Sequence, residues 1–495
     1  MNKIYILIIG LFTLLSVSCV KEGGNEFVPD LPAPSLKGFE KAYSAFTHKD
    51  ILSISPAVEN EGQYDFSWTV VSTNFVVNSG VVPAGDTIAR TKNLSYEVLL
   101  NPGQYILTLR IKDKQTGVTQ ISTSALSVST LTMGGWYLLK DDGGKTDFDF
   151  VYPNGRIDNW LANFNGGRNL PGKAIKSIFA GSFKIGLKST ELYSVFVVIS
   201  DQDAAICRID NGKIVMGFDD MFFTKPAVKK PQNVLQPQAD NLIHLINDSK
   251  VYTLSKGSYF SAPPLSSYKM SPVAAVASMD MVFDDNSKSM VWVDGSNYVA
   301  LPGTAGALKN INADVVWMGA YPGQRNAALI LFRKSAGEGL LFKLNTQFGS
   351  MTGSTFPGTP PLIQDSKTVS AAHGLMSADA IGGNYDSDYI YYAKGNKIYM
   401  TDFASLPENL QVTLPEGEQV TAIQHIKYPQ PAYAGIVATT DYLAIASYAA
   451  GKYKVWLHTI SSTGTIQTLA QPTFEGQGRV TCVNYVEQGK GNRTY

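Results

Sequence analysis

The segment DNWLANFNGGRNLPG (158–172) sets Trp160, Phe164 and Arg168 among asparagines and glycines. Aromatic faces stack on sugar rings or peptide side chains, and a guanidinium grips a carboxylate with two parallel hydrogen bonds. The same chemistry recurs at Tyr259 in KGSYFSAPP, at Tyr321 and Arg325 in GAYPGQRN, and at Tyr385 in GGNYDSDY. These residues form the candidate ligand-binding set. Trp160 leads it, because the surrounding Asn and Gly contribute little apolar burial and suggest an exposed loop. Rings packed between strands are the competing reading for each of them.

Catalytic patterns do not assemble. His48, His244, His373, His425 and His458 are scattered, with no H-E-x-x-H and no paired metal-ligand spacing, and neither a P-loop nor a G-x-S-x-G elbow occurs. Cys207 and Cys482 fall in strand-like runs, which disfavours a cysteine nucleophile; they either pair in an oxidising compartment or stay as buried thiols. KDDGGKTDF (140–148) and FDDNSKS (283–289) approach an Asp box or a calcium loop but fit solvated hairpin turns better. A glycosidase needs two facing carboxylates, and among 41 acidic residues no pair is marked out by context. The expectation is a non-catalytic protein without cofactor or metal. Charge is balanced, 41 basic against 41 acidic residues, with no basic stripe, which argues against nucleic acid as a partner.

Positioning such loops falls to β-structure. With Gly 44, Tyr 25 and Phe 23 and few long helical patterns, the composition is that of an all-β, turn-rich protein. YDFSWTVVS (64–72) places Phe66, Trp68 and Val70 on one face, and GQYILTLRIKD (103–113) does the same with Tyr105, Leu107, Leu109 and Ile111. Strands at this spacing predict an immunoglobulin-like β-sandwich over residues 41–131. Seven hairpin-like stretches follow, at 136–152, 192–210, 241–255, 279–301, 327–344, 388–403 and 442–460, each turning on Gly, Asn or Asp. Their period of roughly 40–60 residues is that of propeller blades, so residues 132–495 read as a seven-bladed β-propeller. GRVTCVNYV (478–486) is one further strand, placed to complete the first blade.

NLSYEVLLNPGQYILTLRIKDKQTG (93–117) resembles the PKD-like domain of Bacteroidetes surface lipoproteins, and Trp68 sits where such domains carry their core tryptophan. The N-terminus is consistent with that resemblance. Lys3, the apolar run Ile4–Val17 and the small residues before Cys19 have the order of a secretory signal, assigned to residues 1–18. The run is shorter than the ~20 residues that span a bilayer. SVSC (16–19) resembles a bacterial lipobox, which would make Cys19 the lipidated N-terminus of a flexible tether over residues 19–40. Glu22 and Glu26 resemble a surface-export signal.

The resemblance implies a lipid-anchored outer-membrane protein, exposed at the cell surface beside a SusC/SusD-type transporter, that captures a peptide or glycan polymer. A scaffold or adhesin binding protein partners is the alternative, and a propeller hydrolase a further one. Anchoring is testable directly. Cys19→Ala is expected to release the protein from the membrane fraction, and a variant held there as firmly as wild type would contradict lipidation at this cysteine.

Overall fold

The computed structural model describes residues 34–47, 49–73, 85–153, 155–236, 242–255, 258–321, 327–429 and 437–492. Cys19, the leader and Arg325 lie outside the described residues. The chain divides into two compact units, Met1–Ser129 and Thr130–Tyr495.

In the first unit a five-stranded sheet runs in the order 42–46, 119–129, 103–113, 64–72, 86–89, with the first pair parallel and the rest antiparallel. Strands 51–54 and 94–97 form a separate pair. The period-two alternation in the sequence is realised here: Trp68, Val70, Leu107, Leu109 and Ile111 are buried in one core with Leu52, Ile54 and Leu94 of the smaller pair. The Trp68 indole N–H donates to the Thr91 carbonyl at 2.9 Å, satisfying the polar atom that a buried tryptophan carries inward.

In the second unit all seven expected hairpins are present, each in a different sheet. In sheets two to seven a further strand precedes the hairpin, at 174–183, 231–235, 270–275, 314–320, 380–383 and 419–428. The first sheet has no such preceding strand. Its place is taken by residues 479–487, which pair antiparallel with 135–142 from Gly135↔Val486 to Asp141↔Arg479. These seven strands touch one another in succession, from 479–487 through 174–183 and onward to 419–428, which returns to 479–487. The result is a propeller-like array. Apolar clusters span neighbouring sheets, sheets two and three in one case and four and five in another, so a hairpin buries its faces against its neighbours.

The seam where sheet seven meets sheet one is pinned by charge. Asp149 is fully buried; it receives the Lys140 ammonium at 2.8 Å, the Arg156 guanidinium at 2.6 Å and the Tyr453 hydroxyl at 2.7 Å. Tyr453 belongs to sheet seven and the other three to sheet one, so one carboxylate joins the two ends of the array. The two cysteines are free thiols, both buried in the core between sheets one and two.

Removing one partner of a buried ion pair strands the other charge, at a cost of about 3–5 kcal/mol. Asp149→Ala should therefore lower unfolding stability by that amount, against about 1 kcal/mol for Tyr453→Phe, which deletes a single hydrogen bond. Denaturant titration of both variants checks this. Equal, small losses would show that the seam does not depend on Asp149.

Candidate functional site

The strands that precede the hairpins of sheets five, six and seven (314–320, 380–383 and 419–428, their inner strands) meet at a recess of about 80 Å³ lined by Trp317, Gly319, Gly382, Gly383, Tyr385, Gln424 and His425 among others. Its floor is glycine for a steric reason. A Cβ on Gly382 would lie 2.4 Å from the Ile423 carbonyl oxygen, closer than packing allows. Cβ atoms on Gly319 and Gly383 would approach the Trp317 ring at 2.2 and 3.2 Å, so the indole rests on bare backbone. The pairing of 314–320 with 327–333 slips between Val315 and Trp317, a bulge of the kind that re-aims a side chain. Trp317 is only partly buried and turns toward the recess.

A second, larger hollow of about 200 Å³ shares Asn384 and His425 with the first and is lined by Asp386, Ser387, Tyr389, Asp441, Ser461 and Ser462. The loop carrying Asp386 is set by Asn384, whose side-chain oxygen accepts the backbone N–H groups of Asp386 and Ser387 at 2.8 and 3.1 Å. Lys427 places its ammonium 2.6 Å from Asp386 Oδ2 and 3.1 Å from Asp441 Oδ2. Burial alone would lower the Lys427 pKa, but the Asp386 hydrogen bond and the two carboxylate charges outweigh it and raise it. For Asp441, burial pushes the carboxyl up, and the His425 hydrogen bond and Lys427 charge bring it net below the usual range.

Both ring nitrogens of His425 are engaged. Nδ1 accepts the Tyr385 backbone N–H at 2.7 Å, which assigns the proton to Nε2, 2.7 Å from Asp441 Oδ1. Asp386, His425 and Asp441 bring ligand atoms within 4.8 Å of one another, the spacing of a metal site. Here the cation position between the carboxylates is filled by Lys427, and His425 has no lone pair to offer.

The expected site residues do not converge. Among the described ones, Tyr385 alone lines this cleft, itself buried, with its ring 5.5 Å from the Lys427 ammonium. Tyr321 is buried in an apolar cluster. Tyr259 is half-buried and packs 5.2 Å from the exposed Phe223 on another part of the unit.

The expectation for Trp160 is corrected: it is fully buried, edge-on to Tyr137 and Phe148. Residues 160–164 form a helical turn whose Leu161 and Ala162 N–H groups donate to the buried Asp147 at 2.7 and 3.0 Å, drawing the segment inward. The neighbouring Asn and Gly residues serve backbone geometry rather than exposure. Asn159, Gly166 and Gly167 take positive φ, and the Asn165 side chain bridges Leu161, Gly212 and Ile214. Phe164 is half-buried beside Trp160, and Arg168 is exposed. The turn at Gly143 and Gly144 is exposed as expected; in the other acidic hairpin Asp284 is buried and accepts N–H groups from Lys269, Asn286 and Ser287.

The residues that build the cleft carry little sequence signal. Asp386 lies in the same GGNYDSDY stretch as Tyr385, but Lys427 and Asp441 come from the next sheet, and Trp317 reads as one more strand residue until the bulge is seen.

Residues 19–173 match the PKD-like family, a stretch covering the first unit's described residues and continuing into the first hairpin of the second. No curated protein matches the chain. Among solved structures it is similar to a quinonprotein alcohol dehydrogenase-like protein from Bacteroides thetaiotaomicron, at 12% identity and a TM-score of 0.40 over 93% of this chain and 98% of that one. A DUF4784 family protein from Bacteroides caccae is similar at 9% identity and a TM-score of 0.27, over 91% and 98%. The WD40 domain of SCAP from fission yeast is similar at 10% identity and 0.33, over 63% and 74%.

The depressed Asp441 carboxyl has a definite sign. A folded-state pKa below the unfolded value of about 3.9 stabilises the fold above that pH and loses the contribution as pH falls through the folded value. Asp441→Asn should therefore flatten the loss of melting temperature below about pH 4; a variant as acid-sensitive as wild type would contradict the coupling. Trp160→Ala should cost about 3–5 kcal/mol as a core deletion. A near-neutral effect in denaturant titration would return Trp160 to the surface.

Proposed function

We propose that the chain is a lipid-anchored, non-catalytic surface protein of the outer membrane. In this reading an immunoglobulin-like PKD domain carries a seven-bladed propeller, closed by residues 479–487. The propeller holds a nutrient polymer for a SusC/SusD-type importer. The observation that carries the binding role is the cleft itself: Trp317 lines one hollow, and Asp386 and Asp441, bridged from behind by the nearly covered Lys427, line an adjoining one that shares Asn384 and His425 with it. An indole on a glycine floor beside preoriented polar side chains suits ligand capture, with little ordering of the site on binding.

The same geometry supports a non-catalytic reading. His425 presents no free nitrogen as a general base. A glycosidase acid needs a raised pKa, and Asp441 is shifted the other way.

Trp317→Ala is expected to weaken binding of the captured polymer by about tenfold to a hundredfold, or ~1–3 kcal/mol, in a protein that still folds but melts lower, because the indole packs on Gly319, Gly383 and the neighbouring apolar cluster. Calorimetry against oligopeptide and oligosaccharide panels measures the first and a thermal scan the second. Unchanged affinity for every binder found would move the site off this cleft, and turnover of any panel member would replace binding by catalysis.

A further inference from the structure

We infer that the cleft takes a neutral, polyhydroxylated ligand, the edge of a glycan chain, in preference to a peptide or any charged polymer. This rests on the reading of the cleft as the binding site and adds the chemistry of what enters it.

The charge arrangement makes the selection. Asp386 and Asp441 are each a little under half exposed, whereas Lys427 is nearly covered and bonded to both. The net negative charge draws a ligand ammonium or guanidinium, but the cation position is already occupied, and taking it would break two short ion pairs. An anionic ligand would meet two carboxylates against one ammonium, a net repulsion in a partly enclosed hollow. A neutral ligand meets neither penalty.

The hydrogen-bonding inventory narrows the neutral class. Ionised carboxylates accept only, and the hollow adds the hydroxyls of Ser387, Ser461 and Ser462, which both donate and accept. Sugar hydroxyls can turn donors toward Asp386 Oδ1 and toward the second lone pairs of the oxygens that Lys427 and His425 already engage, and lone pairs toward the serines. A peptide backbone alternates fixed N–H and C=O groups, so each N–H that reaches an Asp brings carbonyl oxygens close to the same negative charge.

The apolar side fits as well. The partly exposed Trp317 indole, continuous with the polar hollow through Asn384 and His425, offers a flat face to the C–H side of a pyranose ring. Tyr389 adds a second partly covered ring in the outer hollow. A chain of sugars would run outward from Trp317, one ring on the indole and the next with its hydroxyls on Asp386 and Asp441.

The test uses the full chain and defined probes: neutral oligosaccharides of glucose, mannose, galactose, xylose and N-acetylglucosamine, an oligogalacturonate, and neutral and Lys/Arg-rich oligopeptides. A neutral oligosaccharide is expected to bind with an affinity that hardly changes between low and high salt. Asp386→Asn, which keeps the side-chain shape, should weaken it about tenfold or more with only a small shift of the melt, because Lys427 keeps Asp441 as its partner. Binding of a Lys/Arg-rich peptide or of oligogalacturonate that falls steeply with salt would overturn the ligand class. So would oligosaccharide binding that Asp386→Asn leaves untouched, or a neutral peptide as the sole binder. If such a peptide or polyanion still loses affinity in Trp317→Ala, the cleft stands as the binding site and only the glycan inference falls. If no probe of either kind responds to Trp317→Ala, both fall together.

Discussion

Everything in the second unit depends on one non-local pairing: residues 479–487 laid against 135–142, some 340 positions earlier in the chain. Without that strand the first sheet would present an unpaired edge along 135–142, and the contacts that 479–487 makes with 174–183 and 419–428 would be lost. Backbone hydrogen bonds alone would leave the join dependent on register. The buried Asp149 adds a specific anchor, tying Lys140 and Arg156 of sheet one to Tyr453 of sheet seven, and the apolar residues Leu138, Val455 and Val480 pack across the same seam. A buried carboxylate is costly to place, and here it is compensated by two cations and a hydroxyl in good geometry.

The cleft inherits its shape from that array. Its walls are inner strands from three successive sheets, so the separation of Trp317 from His425 and Lys427 is fixed by how sheets five, six and seven pack. Local sequence then tunes it. Glycine at 319, 382 and 383 lets the indole and the Ile423 backbone come close, and Asn384 folds the following loop so that Asp386 meets Lys427. Rigid strands place the residues, and a short turn aims the carboxylate.

How much of this could be read beforehand follows from the period of each element. The seven hairpins were legible because alternating apolar residues flank Gly, Asn or Asp turns, and the strand 479–487 was legible as a surplus strand. Core positions in the first unit, Trp68, Leu107 and Leu109 among them, followed from the same alternation. Inner strands were largely invisible: 380–383 is AIGG, too short and too glycine-rich to show a pattern. Trp160 was misread because Asn and Gly around it looked like solvent exposure, whereas buried Asp147 recruits that turn through backbone N–H groups, a contact no composition rule anticipates. Lys427 and Asp441 have no motif. They meet Asp386 only because sheet six packs on sheet seven.

In the proposed reading a polymer lies across the junction of sheets five, six and seven. The most direct measurement is a crystal structure of the full chain with the tightest-binding oligosaccharide from the panel. One sugar ring is expected on the Trp317 indole, with hydroxyls of its neighbour within hydrogen-bond distance of Asp386 and Asp441. Ligand density at any other face of the array, with this cleft empty, would contradict it.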